Sequence, residues 1–227
     1  PNLKTLELEL NNKAKHDLGA FKTLTALTTM TLTTESYVEG DMVLPPNIVT
    51  LSMRFMQGSV DPALFRPLSR LTSLTLHMHF DIDPLDLSSL TNLELLDTFE
   101  ARVESFPVSL KRCKALVDRE TADFSQLTNL SGLELNCRTP KDRIPHVTFP
   151  TQLVELHVRR LFPDSNISDV QLTSLTCEVS VRITDEQMQH LPKTLEITDI
   201  EQPPLKNETQ ESEDSDSSDW PEIVSAE

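Results

Sequence analysis

Glycine is scarce in this chain. Four glycines in 227 residues leave no loop able to cradle a phosphate on backbone N–H groups, and no nucleophile elbow is present. Aromatic residues make up 5% of the chain and the net charge is -16, so bases would find few rings to stack on and phosphates a repulsive surface; no nucleic-acid partner is expected. No run approaches the roughly 20 apolar residues of a membrane span, and no signal peptide opens the chain. Cys113, Cys137 and Cys177 are odd in number and widely spaced, which favours a reducing, cytoplasmic setting over a disulfide framework. Three N-x-S/T sequons, at Asn129, Asn166 and Asn207, stand against that, but a glycan on Asn129 would crowd the strand that follows it.

Catalytic and metal chemistry find little to build on. His77-Met78-His79 with Asp81 and Asp83 is the best metal candidate, since alternate residues of a strand face one side. No further His or Cys stands at metal spacing, and His16, His146, His157 and His190 are scattered along the chain. No enzyme and no cofactor are expected.

What is present is a repeat. In Leu127-Thr-Asn-Leu-Ser-Gly-Leu-Glu-Leu135, the residues Leu130, Leu133 and Leu135 form an L-x-x-L-x-L unit with near-copies along most of the sequence. The first apolar positions of these units are Leu3, Leu27, Ile48, Leu71, Leu93, Leu110, Leu130, Leu153, Leu172 and Leu195, between 17 and 24 residues apart. Such a period predicts a solenoid. Leu133 and Leu135 should point inward while Gly132 and Glu134 point outward. One unit cannot bury its apolar row, but stacked units share a core.

The units come in two flavours. One reads apolar-x-x-L-T/S-x-L, as in Phe21 to Leu27, Phe65 to Leu71, Leu87 to Leu93 and Phe124 to Leu130; the other places proline three residues before the first apolar position, as in Leu44-Pro-Pro-Asn-Ile48, Phe106 to Leu110, Phe149 to Leu153 and Leu191 to Leu195. At these residues the chain resembles the leucine-rich repeat superfamily, and the proline units look like the LPxxL repeats of protist surface-type proteins and bacterial effector ubiquitin ligases. The resemblance covers about residues 1–200. It implies an α/β solenoid of about ten repeats, curved, with parallel strands on the concave face where partners bind and short helices or turns on the convex side.

Departures from that pattern predict an irregular solenoid. Superfamily repeats place Asn three residues after the last core Leu; here only Asn11 does so, while Glu35, Met56, His79, Ala101, Asp118 and Arg138 hold the equivalent positions. The backbone groups those amides would serve still need partners. Thr184 to Gln187 resembles a capping box, and Asp61-Pro62 a helix start. No polar cap precedes Leu3, so the chain reads as a piece of a longer protein.

The outward strand positions are where a binding site is expected. In the first half they are hydroxyls: Thr28, Thr29, Thr31, Thr50, Ser52, Thr72, Ser73 and Thr75. The sixth unit differs, with Lys111, Arg112 and Lys114, followed by Arg138, Lys141, Arg143, His157, Arg159 and Arg160 in the next two. A basic cluster in an acidic chain suits an acidic partner segment.

Beyond Ile200 the composition changes. Residues 201–227 carry a dense Ser/acid run, too polar to offset chain entropy, so an acidic disordered tail is expected. Within it Asp219-Trp220-Pro221-Glu222-Ile223 resembles the short motif that docks on ubiquitin-like autophagy modifiers, which would place Trp220 and Ile223 in two pockets of a partner. The tail could also fold back onto Lys111 to Lys114. Taken together, the residues predict a monomeric, non-catalytic repeat domain over residues 1–200 that binds a protein, with no membrane or nucleic-acid partner. The rival is the recognition part of a ubiquitin ligase, adaptor or effector, whose catalytic or F-box region lies elsewhere.

Overall fold

The computed structural model describes residues 2–10, 18–34, 42–55, 61–78, 84–99, 101–117, 120–137, 145–158, 165–177 and 196–198. Fourteen strands occur among them. The principal ones are β1 (Thr5–Leu10), β2 (Thr29–Thr34), β3 (Thr50–Phe55), β4 (Ser73–Met78), β6 (Leu95–Phe99), β8 (Arg112–Val117), β10 (Gly132–Cys137), β12 (Glu155–Val158), β13 (Ser174–Cys177) and β14 (Glu196–Thr198). They form one sheet of ten strands in that order, every pairing parallel. Four short strands, β5 (Leu85–Asp86), β7 (Val103–Ser105), β9 (Thr121–Asp123) and β11 (His146–Thr148), make two further parallel pairs, β5 with β7 and β9 with β11. The result is a parallel β-solenoid.

Alternation along each principal strand generates the core. One inward row runs Met30, Leu51, Leu74, Leu96, Cys113, Leu133, Leu156 and Leu175 across eight paired strands, and all of these side chains are buried. Cys113 and Cys177 occupy leucine positions of this core, as their spacing predicted, and all three cysteines are free thiols. Thr98 interrupts the second inward row, and its hydroxyl avoids an orphaned donor by bonding the Lys114 carbonyl at 3.0 Å.

The two sequence flavours are two versions of one turn. In the leucine version, Leu24, Leu68, Leu90 and Leu127 each donate their N–H to the apolar residue three before and accept from Leu27, Leu71, Leu93 and Leu130 three after, at 2.9–3.0 Å. In the proline version only the second bond survives, to the carbonyls of Pro45, Pro107 and Pro150. Proline lacks the donor for the first bond but keeps the acceptor for the second.

Successive turns are also tied through the residue before each strand. The Thr28 carbonyl accepts from both Val49 and Thr50, and the same fork recurs at Val49, Thr72, Glu94, Lys111, Ser131 and Val154. Side-chain amides add a second tie: Asn47, Asn92 and Asn129 each donate to a carbonyl of the preceding turn, those of Thr25, Ser69 and Val108, and Gln152 does the same to Leu127. These amides sit immediately before the first apolar position of a unit, not after the strand where their absence had been noted.

The α/β expectation is narrowed by the structure. Among the described residues there is no α-helix, only 3₁₀ turns at Leu18–Thr23, Pro62–Leu64 and Ile167–Asp169. Asp86 and Asp123 accept from the N–H groups of Ser88 and Ser125 at the entry to two of the turns. The Asp61 start is a 3₁₀ turn, its carboxylate accepting from the Ala63 N–H at 2.8 Å. The capping box at Thr184 and the acidic tail lie outside the described residues. No helix among those described is long and apolar enough to cross a membrane.

Candidate functional site: a charged trough on the sheet face

The outward residues of the principal sheet form rows fixed by register. One row runs Thr29, Thr50, Ser73, Leu95, Arg112, Gly132, Glu155 and Ser174; the next runs Thr31, Ser52, Thr75, Asp97, Lys114, Glu134, His157 and Thr176. From β1 to β4 these rows are mostly hydroxyls. From β6 to β12 they become charged.

Here a cavity of about 570 Å³ opens on the sheet face, spanning β4, β6, β8, β10, β12 and β13. Its chemistry is set by pairing. Lys111 bonds Glu94 at 2.8 Å, Arg112 reaches Glu155 at 3.4 Å, and Lys114 meets Glu134 at 2.6 Å. Gly132 lies between Arg112 and Glu155 in its row and leaves space for that pair to close over it; a Cβ there would stand 3.3 Å from Arg112 Cγ and 3.5 Å from Glu155 Oε2. This close approach calls for a small residue in the strand.

Asp97 is different. It lies next to Lys114 in the row, yet its Oδ1 is shielded from solvent and has no hydrogen-bond partner. The Cys113 thiol behind it is pushed well above its usual range, first by burial and then by the Asp97 charge.

The sequence-predicted residues divide cleanly. Arg112, Lys114 and His157 line the trough, whereas Lys111, paired with Glu94, directly precedes Arg112 and is not among the lining residues. Arg138, Arg159, Trp220 and Ile223 lie outside the described residues, as do Lys141, Arg143 and Arg160. Of the metal candidate, His79, Asp81 and Asp83 also lie outside them, while the His77 ring packs 5.7 Å from Phe99. Among the described residues no three His, Cys, Asp or Glu side chains converge as metal ligands do. Two of the sequons have structural work for their amides: Asn129 bonds the Val108 carbonyl, and Asn166 bonds both the N–H and the carbonyl of Phe149.

Asp97, Glu134, Glu155 and Gly132 were missed as site residues. Each was readable in one of two columns: the fourth residue after the first apolar position runs Thr31, Ser52, Thr75, Asp97, Lys114, Glu134, His157 and Thr176, and the second runs Thr29, Thr50, Ser73, Leu95, Arg112, Gly132, Glu155 and Ser174.

Compared with known proteins, the chain matches no protein-family model and no curated protein.

Proposed function

We propose that this chain is a non-catalytic protein-interaction module, a solenoid of leucine-rich repeat type that binds an extended polypeptide across the outward face of its principal sheet. The observation that carries this reading is the trough of about 570 Å³ across six strands, with hydroxyls on the strands at both ends and acids and bases between them. Main-chain groups of a bound segment would find donors and acceptors at the spacing of neighbouring strands, about 4.8 Å. Arg112, Lys114 and His157 would contact the partner, with Lys111 beside Arg112.

The test is affinity purification with the wild-type chain, a Lys111→Glu, Arg112→Glu, Lys114→Glu variant, and a variant bearing three charge reversals away from this face. A partner retained by the remote variant and lost by the trough variant, with both folded by circular dichroism, supports the reading. Equal recovery on all three baits removes it.

A further inference from the structure

Asp97 sits in an unusual position for a carboxylate. Its Oδ1 is shielded from solvent and has no hydrogen-bond partner, although Lys114 is its neighbour in the row and Arg112 lines the same trough. Each of those two cations has a glutamate beside it, Glu155 for Arg112 and Glu134 for Lys114. The described charges lining the trough therefore leave one carboxylate over, Asp97, Glu134 and Glu155 against Arg112 and Lys114.

Its surroundings on β6 are equally specific. Leu95 and Phe99 stand two residues to either side on the same face of the strand, and both are exposed large apolar side chains, 45% and 40% accessible. A half-buried carboxylate between two exposed apolar groups is complementary to a side chain with a long aliphatic stem and a cationic head. Lysine and arginine have that form, and a guanidinium would also gain from the face of Phe99.

Resting on the interaction-module reading above, we infer that Asp97, flanked by Leu95 and Phe99, is the recognition subsite for an arginine or lysine side chain of the bound polypeptide. The partner segment is basic at this point. Arg112 and Lys114 are paired with Glu155 and Glu134, so that an incoming cation meets the Asp97 carboxylate with those charges offset.

The experiment uses fluorescein-labelled randomised decapeptide pools with the central position fixed as Arg, Lys, Glu or norleucine, measured by anisotropy against wild type, Asp97→Asn and Gly132→Trp. Melting curves establish that each variant is folded. The expected result is that Arg and Lys pools bind wild type about tenfold more tightly than the norleucine pool, that Asp97→Asn removes the preference, and that Gly132→Trp weakens every pool. Binding that is blocked by Gly132→Trp but prefers Glu, or prefers Arg and Lys equally in Asp97→Asn, overturns the subsite and leaves the trough standing. Binding that Gly132→Trp does not touch, or no binding by any pool, overturns the interaction reading and the subsite with it. Titration of wild type alone with Nα-acetyl-arginine methylamide, followed by the Asp97 side-chain carboxyl carbon signal, gives a second readout independent of variants: a saturable shift that Nα-acetyl-norleucine methylamide does not produce is required.

Discussion

Arg112 on β8 reaches Glu155 on β12 across an intervening strand, its Nη2 3.4 Å from Oε2, by lying over Gly132. The geometry makes the size of residue 132 decisive. Gly132→Ala places a Cβ 3.3 Å from Arg112 Cγ, a contact that an exposed side chain relieves by moving a few tenths of an ångström, and it removes unfolded-state freedom. A gain of roughly 0.5 kcal/mol is expected. Gly132→Leu should instead displace the guanidinium. In a double-mutant cycle on Arg112→Ala and Glu155→Ala, the coupling present in the wild type should vanish in the Gly132→Leu background, and urea denaturation reads both effects.

The three ion pairs should differ in strength according to exposure. Lys111–Glu94 is about half exposed on both sides, whereas Lys114–Glu134 is 32% exposed on each. Exposed pairs contribute at most about 1 kcal/mol. The coupling energy of Lys114–Glu134 should therefore exceed that of Lys111–Glu94, and it should lose less between 0.05 and 0.5 M salt, about the range over which a surface pair is screened. Equal coupling and equal salt dependence would contradict the burial difference.

These pairs also mark where sequence reading stopped. The inward rows were legible because period-two alternation around Leu133 and Leu135 is local, and the cysteines at core positions followed from the same count. The glutamates were not, because Glu94, Glu134 and Glu155 lie 17, 20 and 43 residues from Lys111, Lys114 and Arg112. Adjacent cations in sequence looked like a basic patch; parallel register supplied each with an acid from another turn. The amide ties were overlooked for a related reason. Asn47, Asn92 and Asn129 serve carbonyls of the preceding turn, 21 to 23 residues away in sequence.

Asn166 and Asn129 should respond differently to truncation. Asn166 accepts from the Phe149 N–H at 2.7 Å and donates to its carbonyl at 3.0 Å, beside a Phe149 that is 1% exposed. Removing it takes a partner from each of two backbone groups of Phe149. Asn166→Ala is expected to cost about 2 kcal/mol or more, against about 0.5–1 kcal/mol for Asn129→Ala, whose single bond to Val108 is exposed to competing water. Chemical denaturation of the two variants separates these values.

Acid should weaken the fold partly through Asp86 and Asp123. The Ser88 hydroxyl and then its N–H hold the Asp86 carboxyl below 3.8, and the Ser125 N–H chiefly does the same for Asp123. Both folded-state values are depressed, so the contribution is present above the unfolded value and is lost as pH falls through the folded one. NMR titration should place both carboxyls below the ordinary range. Ser88→Ala should raise the Asp86 value towards 3.8, while Ser125→Ala should leave most of the Asp123 depression, because its leading donor is main chain.

Thiol reactivity offers the most direct check that the sheet is closed behind the trough. Cys113 is 4% exposed and Cys177 7%, whereas Cys137 is half-buried at the end of β10. Burial and the Asp97 charge both disfavour the Cys113 thiolate, and the thiolate is the species that reacts. Modification of Cys113 in the folded protein must then pass through an opened form in which its thiol is ordinary, so its rate should follow the free energy of opening and rise steeply with denaturant. Cys137 should react first, with little dependence on denaturant. Asp97→Asn should leave the Cys113 rate within a few-fold of wild type, because opening and not local charge limits it. A Cys113 that reacts as fast as Cys137 in native buffer, or accelerates strongly on loss of Asp97 alone, would mean that the inner row is open to solvent beneath the very carboxylate assigned to partner recognition.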